Sequence, residues 1–327
     1  MGGILMQKTV NKSSVSFRSF VKENGSLVIF LLIAVIASVF VPRFFSLKNF
    51  ALILKQAAIP IIGCLGMMTV LMTGGIDLSL GYMIGLSSIS VGLLVKTYEF
   101  GVLPSILITL CIGLVVGFIN GICIEKIHVP AFITTLGTGY LLLGIAQIIS
   151  NGASINRLPK NFLAIGKTAI LGKLNTTVLI SFIFCAAFYY ILHCSTYGRR
   201  LSSFGLSKPT SQLSGVQTAK INMSAYIICA LLASVCGILL SIDVNCAQPT
   251  MGGGDYTFTV ITGCVLGGVS LFGGVGSVPG VIFGMLTLKV INNCINLMNA
   301  PYYLGSAIQG IVILFDIILE NVKNRKL

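Results

Sequence analysis

Only eight acidic residues occur in 327, and two of them sit in one repeated pattern. "GGIDLSLGYMIG" (Gly74–Gly85) and "GGGDYTFTVITG" (Gly252–Gly263) align Gly74, Gly75, Asp77 and Gly85 with Gly252, Gly253, Asp255 and Gly263, each 178 residues apart. Both copies lie in apolar surroundings. An acid there is costly and normally faces protein, a polar cavity or a partner. The glycines beside it let backbone bend or pack closely. The pattern is that of a broken or capped helix end. Asp77 is placed either to cap a helix beginning near Leu78, by accepting its free amide hydrogens, or to touch a polar solute.

Other residue types offer less chemistry. The ten cysteines form no CxxC pair and lie mostly in apolar stretches, as small buried hydrophobes do. His128 and His193 are too few for a histidine-rich metal site. A phosphate-binding loop needs G-x-x-x-x-G-K-[ST]. "NFLAIGKT" (Asn161–Thr168) comes near it, but has Asn161 where the first glycine belongs and no strand before it. Amides remain. Asn120, Gln147, Asn245, Gln248, Asn292, Asn293 and Asn296 fall in or at the ends of apolar segments. They can pair with the hydroxyls of a polar solute or hydrogen-bond between helices. On a helix, Asn292 and Asn296 share a face.

The elements that must hold these residues are membrane helices. The chain is 55% hydrophobic and 9% charged, with a mean hydropathy of +0.99, against about a quarter charged in soluble domains. Its apolar blocks run to about 17–25 residues, the length that crosses hydrocarbon as helix. No period-two alternation suggests a β-barrel. Ten spans are predicted, near Leu27–Val41, Phe50–Met72, Leu78–Val95, Val102–Ile124, Ala131–Ile149, Thr176–His193, Ile221–Ile242, Phe258–Gly273, Val278–Met298 and Tyr303–Leu319. Lys55 and Lys289 are the basic residues inside them, Lys55 placed to snorkel to the surface and Lys289 deeper, to be paired or to face a cavity.

The net charge of +13 collects in the connections between spans, as expected of cytoplasmic loops, and no basic helix with stacking aromatics suggests nucleic acid. Lys8, Lys12, Arg18 and Lys22 precede the first span, which shows no cleavage site and reads as uncleaved with a cytoplasmic N-terminus. Ten spans bring the C-terminus back to the same side. With that orientation twelve Lys and Arg fall inside and seven outside. The outside loop Asn151–Asn175 is basic against the trend. The expected organisation is a cytoplasmic segment 1–25, a membrane domain 26–320 with a polar cytoplasmic loop 195–220, and a tail 321–327.

Five spans separate Asp77 from Asp255. An odd number makes the second copy cross in the opposite direction, the signature of two inverted five-helix repeats in an all-α polytopic protein, as found in many transporters.

Taken in order, "TGGIDLSLG" (Thr73–Gly81), "TLGTGYLLLGI" (Thr135–Ile145), "YGRRLSSFG" (Tyr197–Gly205), "LSGV" (Leu213–Val216), "NCAQPTMGGGDY" (Asn245–Tyr256), "VLGGVSLFGGVGSVPG" (Val265–Gly280) and "NNCINLM" (Asn292–Met298) resemble the permease subunits of bacterial ABC sugar importers, of the ribose-type and branched-chain amino acid permease family. The resemblance runs from about Phe44 to Glu320. It implies alternating-access import of a monosaccharide such as ribose across the inner membrane, with no catalytic site or cofactor in this chain. The implied partners are a second permease subunit, identical or not, a cytoplasmic ATP-binding subunit carrying ATP–Mg, and an extracytoplasmic sugar-binding protein, all around a chain embedded in lipid. Ser195–Lys220 becomes the ATPase coupling loop, with Arg199, Arg200, Ser207, Lys208, Pro209, Leu213, Ser214 and Gly215 as its contact residues. Within it Ser207 is a natural N-cap before Pro209, for a short helix from Lys208 to about Leu213 that Gly215 stops. The family's usual Gly-x-Asn followed by Ala-Ala is replaced here by Ser207, Thr210 and Ser211, which bears on which ATPase it accepts. Two alternatives stand beside this reading: a related cargo (nucleoside, branched-chain amino acid or sugar-like signal), and an ion-coupled secondary transporter acting alone.

Overall fold

Serine starts two of the long helices as helix-capping chemistry requires. Ser46 accepts from the amide of Asn49, and Ser277 from that of Gly280. A computed structural model describes residues 24–170, 174–301 and 303–324. The basic residues of segment 1–23, Lys173 and the basic C-terminal residues Arg325 and Lys326 lie outside the described residues. The helices are α1 (Gly25–Phe40), α2 (Leu47–Leu71), α3 (Leu80–Gly92, extended by a π-turn Leu93–Thr97), α4 (Val102–Glu125), α5 (Ala131–Ser150), α6 (Lys160–Lys167), α7 (Thr176–Tyr189, with a π-turn Tyr190–Cys194), α8 (Thr196–Leu206), α9 (Lys208–Leu213), α10 (Thr218–Val244), α11 (Gly253–Leu266), α12 (Val278–Leu297) and α13 (Tyr303–Asn324). Seven of these segments are long and apolar enough on their own to cross a membrane. Together with α1, the apolar stretch Tyr303–Phe315 of α13 and the 14-residue α11 they stand near the ten expected places. The protein is an all-α polytopic membrane protein. Among the described residues strand is confined to two short antiparallel pairs, Ile155–Asn156 with Cys246–Ala247 and Ala169–Ile170 with Leu174–Asn175.

The core is built around α2, α3 and α10, which carry most of the fully buried side chains. Packing follows the repeat. Pairing α2 with α10, α3 with α11, α4 with α12 and α5 with α13 exchanges one set of neighbours for the other. Thus α4 lies on α10 as α12 lies on α2, α3 on α10 as α11 on α2, and α3 on α5 as α11 on α13. The outer helices break the exchange, since α1 packs on α12 whereas α7 packs on α2.

Several expectations change. The eighth span is Gly253–Leu266, not Phe258–Gly273. The chain turns at Gly267–Gly268, where a Cβ on Gly267 would lie 2.7 Å from Gly280, and Gly268, Gly273 and Gly274 all hold positive φ. Helix therefore stops before those glycines, and Asp255 falls in its first turn. The loop 195–220 carries a second helix, α8, besides the expected α9. Lys55 does not simply snorkel: its ammonium lies 2.9 Å from Asp243 on α10. Lys289 is half-buried on α12 and makes no ion pair among the described residues. Asn161–Thr168, the near miss to a phosphate loop, is largely the helix α6.

α3 and α11 approach each other very closely. A Cβ on Gly81 would sit 1.8 Å from the carbonyl oxygen of Gly253, while one on Gly137 would meet nothing within 4 Å. Gly81→Ala is therefore expected to lower the unfolding temperature of the purified protein in detergent by several degrees, or to prevent its accumulation. Gly137→Ala should match or exceed the unmodified protein, because alanine is the better helix former.

Candidate functional site

Neither glycine–aspartate segment is helical throughout. After α2 ends, residues 73–79 run as irregular backbone before α3 begins. After α10 ends, residues 245–252, which include the two-residue strand Cys246–Ala247, are likewise non-helical before α11. Irregular backbone survives at membrane depth only where protein or a hydrated cavity satisfies it. The first segment is held from three sides. Thr135 of α5 accepts from the Leu78 amide at 3.1 Å and lies 3.3 Å from the Ile76 carbonyl. The Gly74 and Gly75 amides bond back to Leu71 and Val70. Gly75 leaves room for the Tyr226 hydroxyl, 2.3 Å from where a Cβ would be. In the second segment the Gln248 amide donates to Ser88 of α3 at 3.0 Å. Asn245, in a left-handed conformation that ends α10, accepts from Leu158 through its side chain and from Arg157 through its carbonyl.

These half-spans meet inside the bundle. Gly237 of the 27-residue α10 packs on Ile84 and Ser87, while Tyr226 and Cys229 lie beside Gly75 and Asp77. The N-terminus of α3 is thus level with the middle of α10. There the Gly81 amide donates to Thr257 of α11 at 3.0 Å, so both helices start at one central point.

The two aspartates that mark the repeat have different surroundings. Asp77 is 0% exposed. Its Oδ1 accepts from the Ser79 amide (2.9 Å) and hydroxyl (2.5 Å), and Asn120 of α4 donates to the same hydroxyl (3.1 Å). It caps a turn that leads into the helix, two residues later than expected: α3 starts at Leu80, not Leu78. The buried Asp77 Oδ2 and Asn120 Oδ1 have no hydrogen-bond partner among the described residues. Asp255, by contrast, is exposed in the first turn of α11, where the helix N-terminus favours its charge.

A polar strip continues from Asp255. The Tyr82 hydroxyl lies against Gly254, and its ring packs on Tyr140 of α5, centroids 5.6 Å apart. Tyr140 is 60% exposed, and Gln147, two turns on, is exposed as well. The Thr259 hydroxyl lies 3.4 Å from Gln309 Oε1 of α13. Gln309 in turn lines a cavity of about 220 Å³ with Asn292, Ile295, Asn296, Gly305 and Ser306. Asp255, Asn292 and Asn296 are thus linked through Thr259, which donates to the Asp255 carbonyl, and Gln309, while Gln147 is exposed on α5 two turns from Tyr140. Asn293 is elsewhere: it exchanges two amide hydrogen bonds with Asn49 of α2, 2.9 and 2.8 Å, buried between helices. Asn245 and Gln248 hold the second half-span. Sequence reading missed Tyr82 and Tyr140, whose signal was a phenol in the middle of an otherwise apolar run.

At the opposite pole from Asn245 lies the loop 195–220. The Ser207 side chain accepts from the Thr210 amide, α9 runs Lys208–Leu213, and Gly215 has φ +78°. Leu213 is 92% exposed, and Arg199, Arg200, Lys208, Pro209 and Ser214 are exposed around it. On its inner side α8 seats Gly205 against the Met72 and Gly274 backbone, and Ser202 donates to the Gly274 carbonyl. The loop thus touches the end of α2 just before the first half-span. Glu125, at the end of α4, was not anticipated. It accepts from Lys208 at 2.9 and 3.2 Å and from Asn222 of α10 at 2.8 Å.

The profile of the family described as branched-chain amino acid transport system permease component matches residues 49–316. The ribose import permease protein of Escherichia coli (strain K12) is 33% identical over 320 residues, 97% of this chain and 99% of that one. The L-arabinose transport system permease protein of the same strain is 29% identical over 325 residues, covering 96% and 95%. The autoinducer 2 import system permease protein of Yersinia pseudotuberculosis serotype O:3 (strain YPIII) is 29% identical over 299 residues, covering 91% and 84%. No solved structure matches the chain.

The contrast between the two aspartates is directly measurable. With the exposed Cys111 and Cys194 replaced by serine, a cysteine at Asp255 is expected to react in native membranes with a charged thiol reagent. A cysteine at Asp77 should react at least tenfold more slowly. Equal rates would show that both sites meet water.

Proposed function

The chain belongs to the branched-chain amino acid transport system permease family, and from that premise we propose that it is the membrane subunit of an ATP-driven importer of a monosaccharide or a close sugar analogue. One observation carries the reading beyond the family. Asp255 presents a carboxylate on the outside of a single subunit, at the point where two half-spans meet inside a membrane bundle. Hydrocarbon does not tolerate that exposure, so the face must adjoin water or protein. A second permease subunit, identical or homologous, covers it and encloses a hydrated path.

Along that path the strip offers what a sugar requires. Carboxylate, amide and hydroxyl groups match vicinal hydroxyls as acceptors and donors, and the Tyr82 and Tyr140 rings present flat apolar faces with polar tips. Ribose, arabinose and autoinducer 2 are named for relatives of 29–33% identity. A ribose-like sugar is accordingly the first candidate cargo. Asp77 and Asn120, enclosed here, set the shape of the first half-span rather than meeting the cargo. Asn245, Gln248 and Asn293 likewise hold the frame.

Energy enters from the other end. ATP–Mg is bound and hydrolysed by a cytoplasmic partner that docks on α8 and α9, with Leu213 as apolar anchor and Arg199, Arg200, Lys208, Pro209 and Ser214 around it. An extracytoplasmic binding protein delivers sugar on the opposite face. The chain crosses the bacterial inner membrane repeatedly, with its termini and coupling loop in the cytoplasm. Closure of the ATPases moves α8 against the end of α2 and so shifts the half-span that follows.

The test is reconstitution in liposomes with its ATPase and binding-protein partners. D-ribose, L-arabinose and autoinducer 2 uptake should each be measured, and at least one should depend on ATP. The permease alone should show no uptake under a proton or sodium gradient; uptake there would favour a secondary transporter. Gly215→Pro, which cannot adopt the φ of +78°, should cut transport and sugar-stimulated ATP hydrolysis together by tenfold or more at unchanged membrane abundance.

A further inference from the structure

We propose that Glu125 is the positioning residue through which movement of the coupling helix reaches the spans. Its carboxylate clamps Lys208 of α9 to α4 and α10, and the clamp opens when the docked partner draws Lys208 away. The proposal rests on the importer reading above.

Three features of the site lead to it. First, Glu125 is the last residue of α4, the carbonyl end of a 24-residue helix, where the backbone dipole disfavours an anion. Second, its side chain is only 8% exposed, so water cannot replace a lost counter-ion. A buried charge stripped of its partner is strongly destabilising. Third, the two groups that hold it come from different moving parts. Lys208 contacts both carboxylate oxygens from α9, and Asn222 contacts one from α10. Asn222 carries no charge. Lys208 alone neutralises the carboxylate among the described residues.

Lys208 is itself poised between two environments. It is 43% exposed, and its ammonium also lies 5.7 Å from the centre of the Phe204 ring. An acidic group on a docking protein can reach it from outside. Glu125 has no such freedom. When Lys208 leaves, the carboxylate stays buried at an unfavourable helix end unless α4 or α10 shifts to hydrate it. Displacement of a six-residue surface helix thereby acquires a cost that is borne by the spans.

The onward connection is short. Asn222 lies one helical turn from Tyr226 on α10, and the Tyr226 hydroxyl occupies the space left by Gly75. Cys229, three residues further, adjoins Asp77. A movement of α10 that follows Glu125 therefore presses on the first half-span directly. Gln212 of α9 adds a second tie to the same helix, donating to Thr218 at 3.1 Å.

The experiment uses the whole transporter in proteoliposomes, with radiolabelled D-ribose, or L-arabinose where only that sugar is carried. The readout is sugar imported per ATP hydrolysed, with copurification of the ATPase subunit as the measure of assembly. Glu125→Gln and Lys208→Met should each lower the ratio at least fivefold while the ATPase still copurifies. The exchange of Glu125→Lys with Lys208→Glu should recover at least half of it. A ratio within twofold of the unmodified complex in either single variant overturns the proposal, as does an assembled double exchange no better than the singles. Should Glu125 variants fail to assemble, Lys208→Met, on an exposed helix, decides the matter alone. Absence of ATP-dependent uptake by the unmodified complex would instead overturn the importer reading.

Discussion

Hydrocarbon supplies no hydrogen bonds, and the two non-helical segments at the heart of this bundle exist under that restriction. Each unpaired amide or carbonyl there would cost several kcal/mol. Side chains from other helices therefore supply what the missing turns would have supplied: Thr135 for residues 76–78, Ser88 for Gln248, Thr257 for Gly81. The glycines have a matching role. They let α3 and α11 start against each other with backbone nearly touching backbone, which no side chain at Gly81 would allow. The arrangement is rigid in its contacts yet composed of short pieces, and short pieces can move as units.

From this core the polar groups sort themselves by what can solvate them. Asp77, Asn120 and Asn293 are enclosed by protein, and all three make hydrogen bonds that fix backbone or neighbouring segments. Asp255, Tyr140 and Gln147 remain on the outside of the subunit, where only water or another chain can satisfy them. Polarity in this bundle is thus divided between an enclosed frame and an open face. The loop 195–220 shows the same contrast at the other pole, where Leu213 is an exposed apolar residue and Glu125 an anion kept from the surface.

The repeat illustrates how far a pattern reaches. Gly-Gly-x-Asp at residues 74–77 and 252–255 correctly locates two interrupted spans and their exchangeable packing. It suggests like environments for the aspartates, and these differ. The first glycine pair precedes four further irregular residues, whereas at the second the helix starts directly at Gly253. That difference of several residues puts Asp77 in a turn facing Ser79 and Asp255 on an open helical face. The same limit appears at α9. Ser207, Pro209 and Gly215 define its ends locally and were legible, while the bond from Lys208 to Glu125 joins positions 83 residues apart and had no local signal.

The amino-acid sequence alone determined that this protein crosses a membrane as about ten helices, that a Gly-Gly-x-Asp segment interrupts the chain ahead of two of them, and that a short capped helix lies in the polar loop. Those properties depend on hydrophobic run length, glycine and serine placement, all of which act over a few residues. Only the tertiary structure decided which acid is enclosed and which is open, which asparagine pairs across helices and which faces a cavity, and that Glu125 joins three elements. Burial and pairing are set by residues distant along the chain, and no local pattern records the neighbour that folding brings.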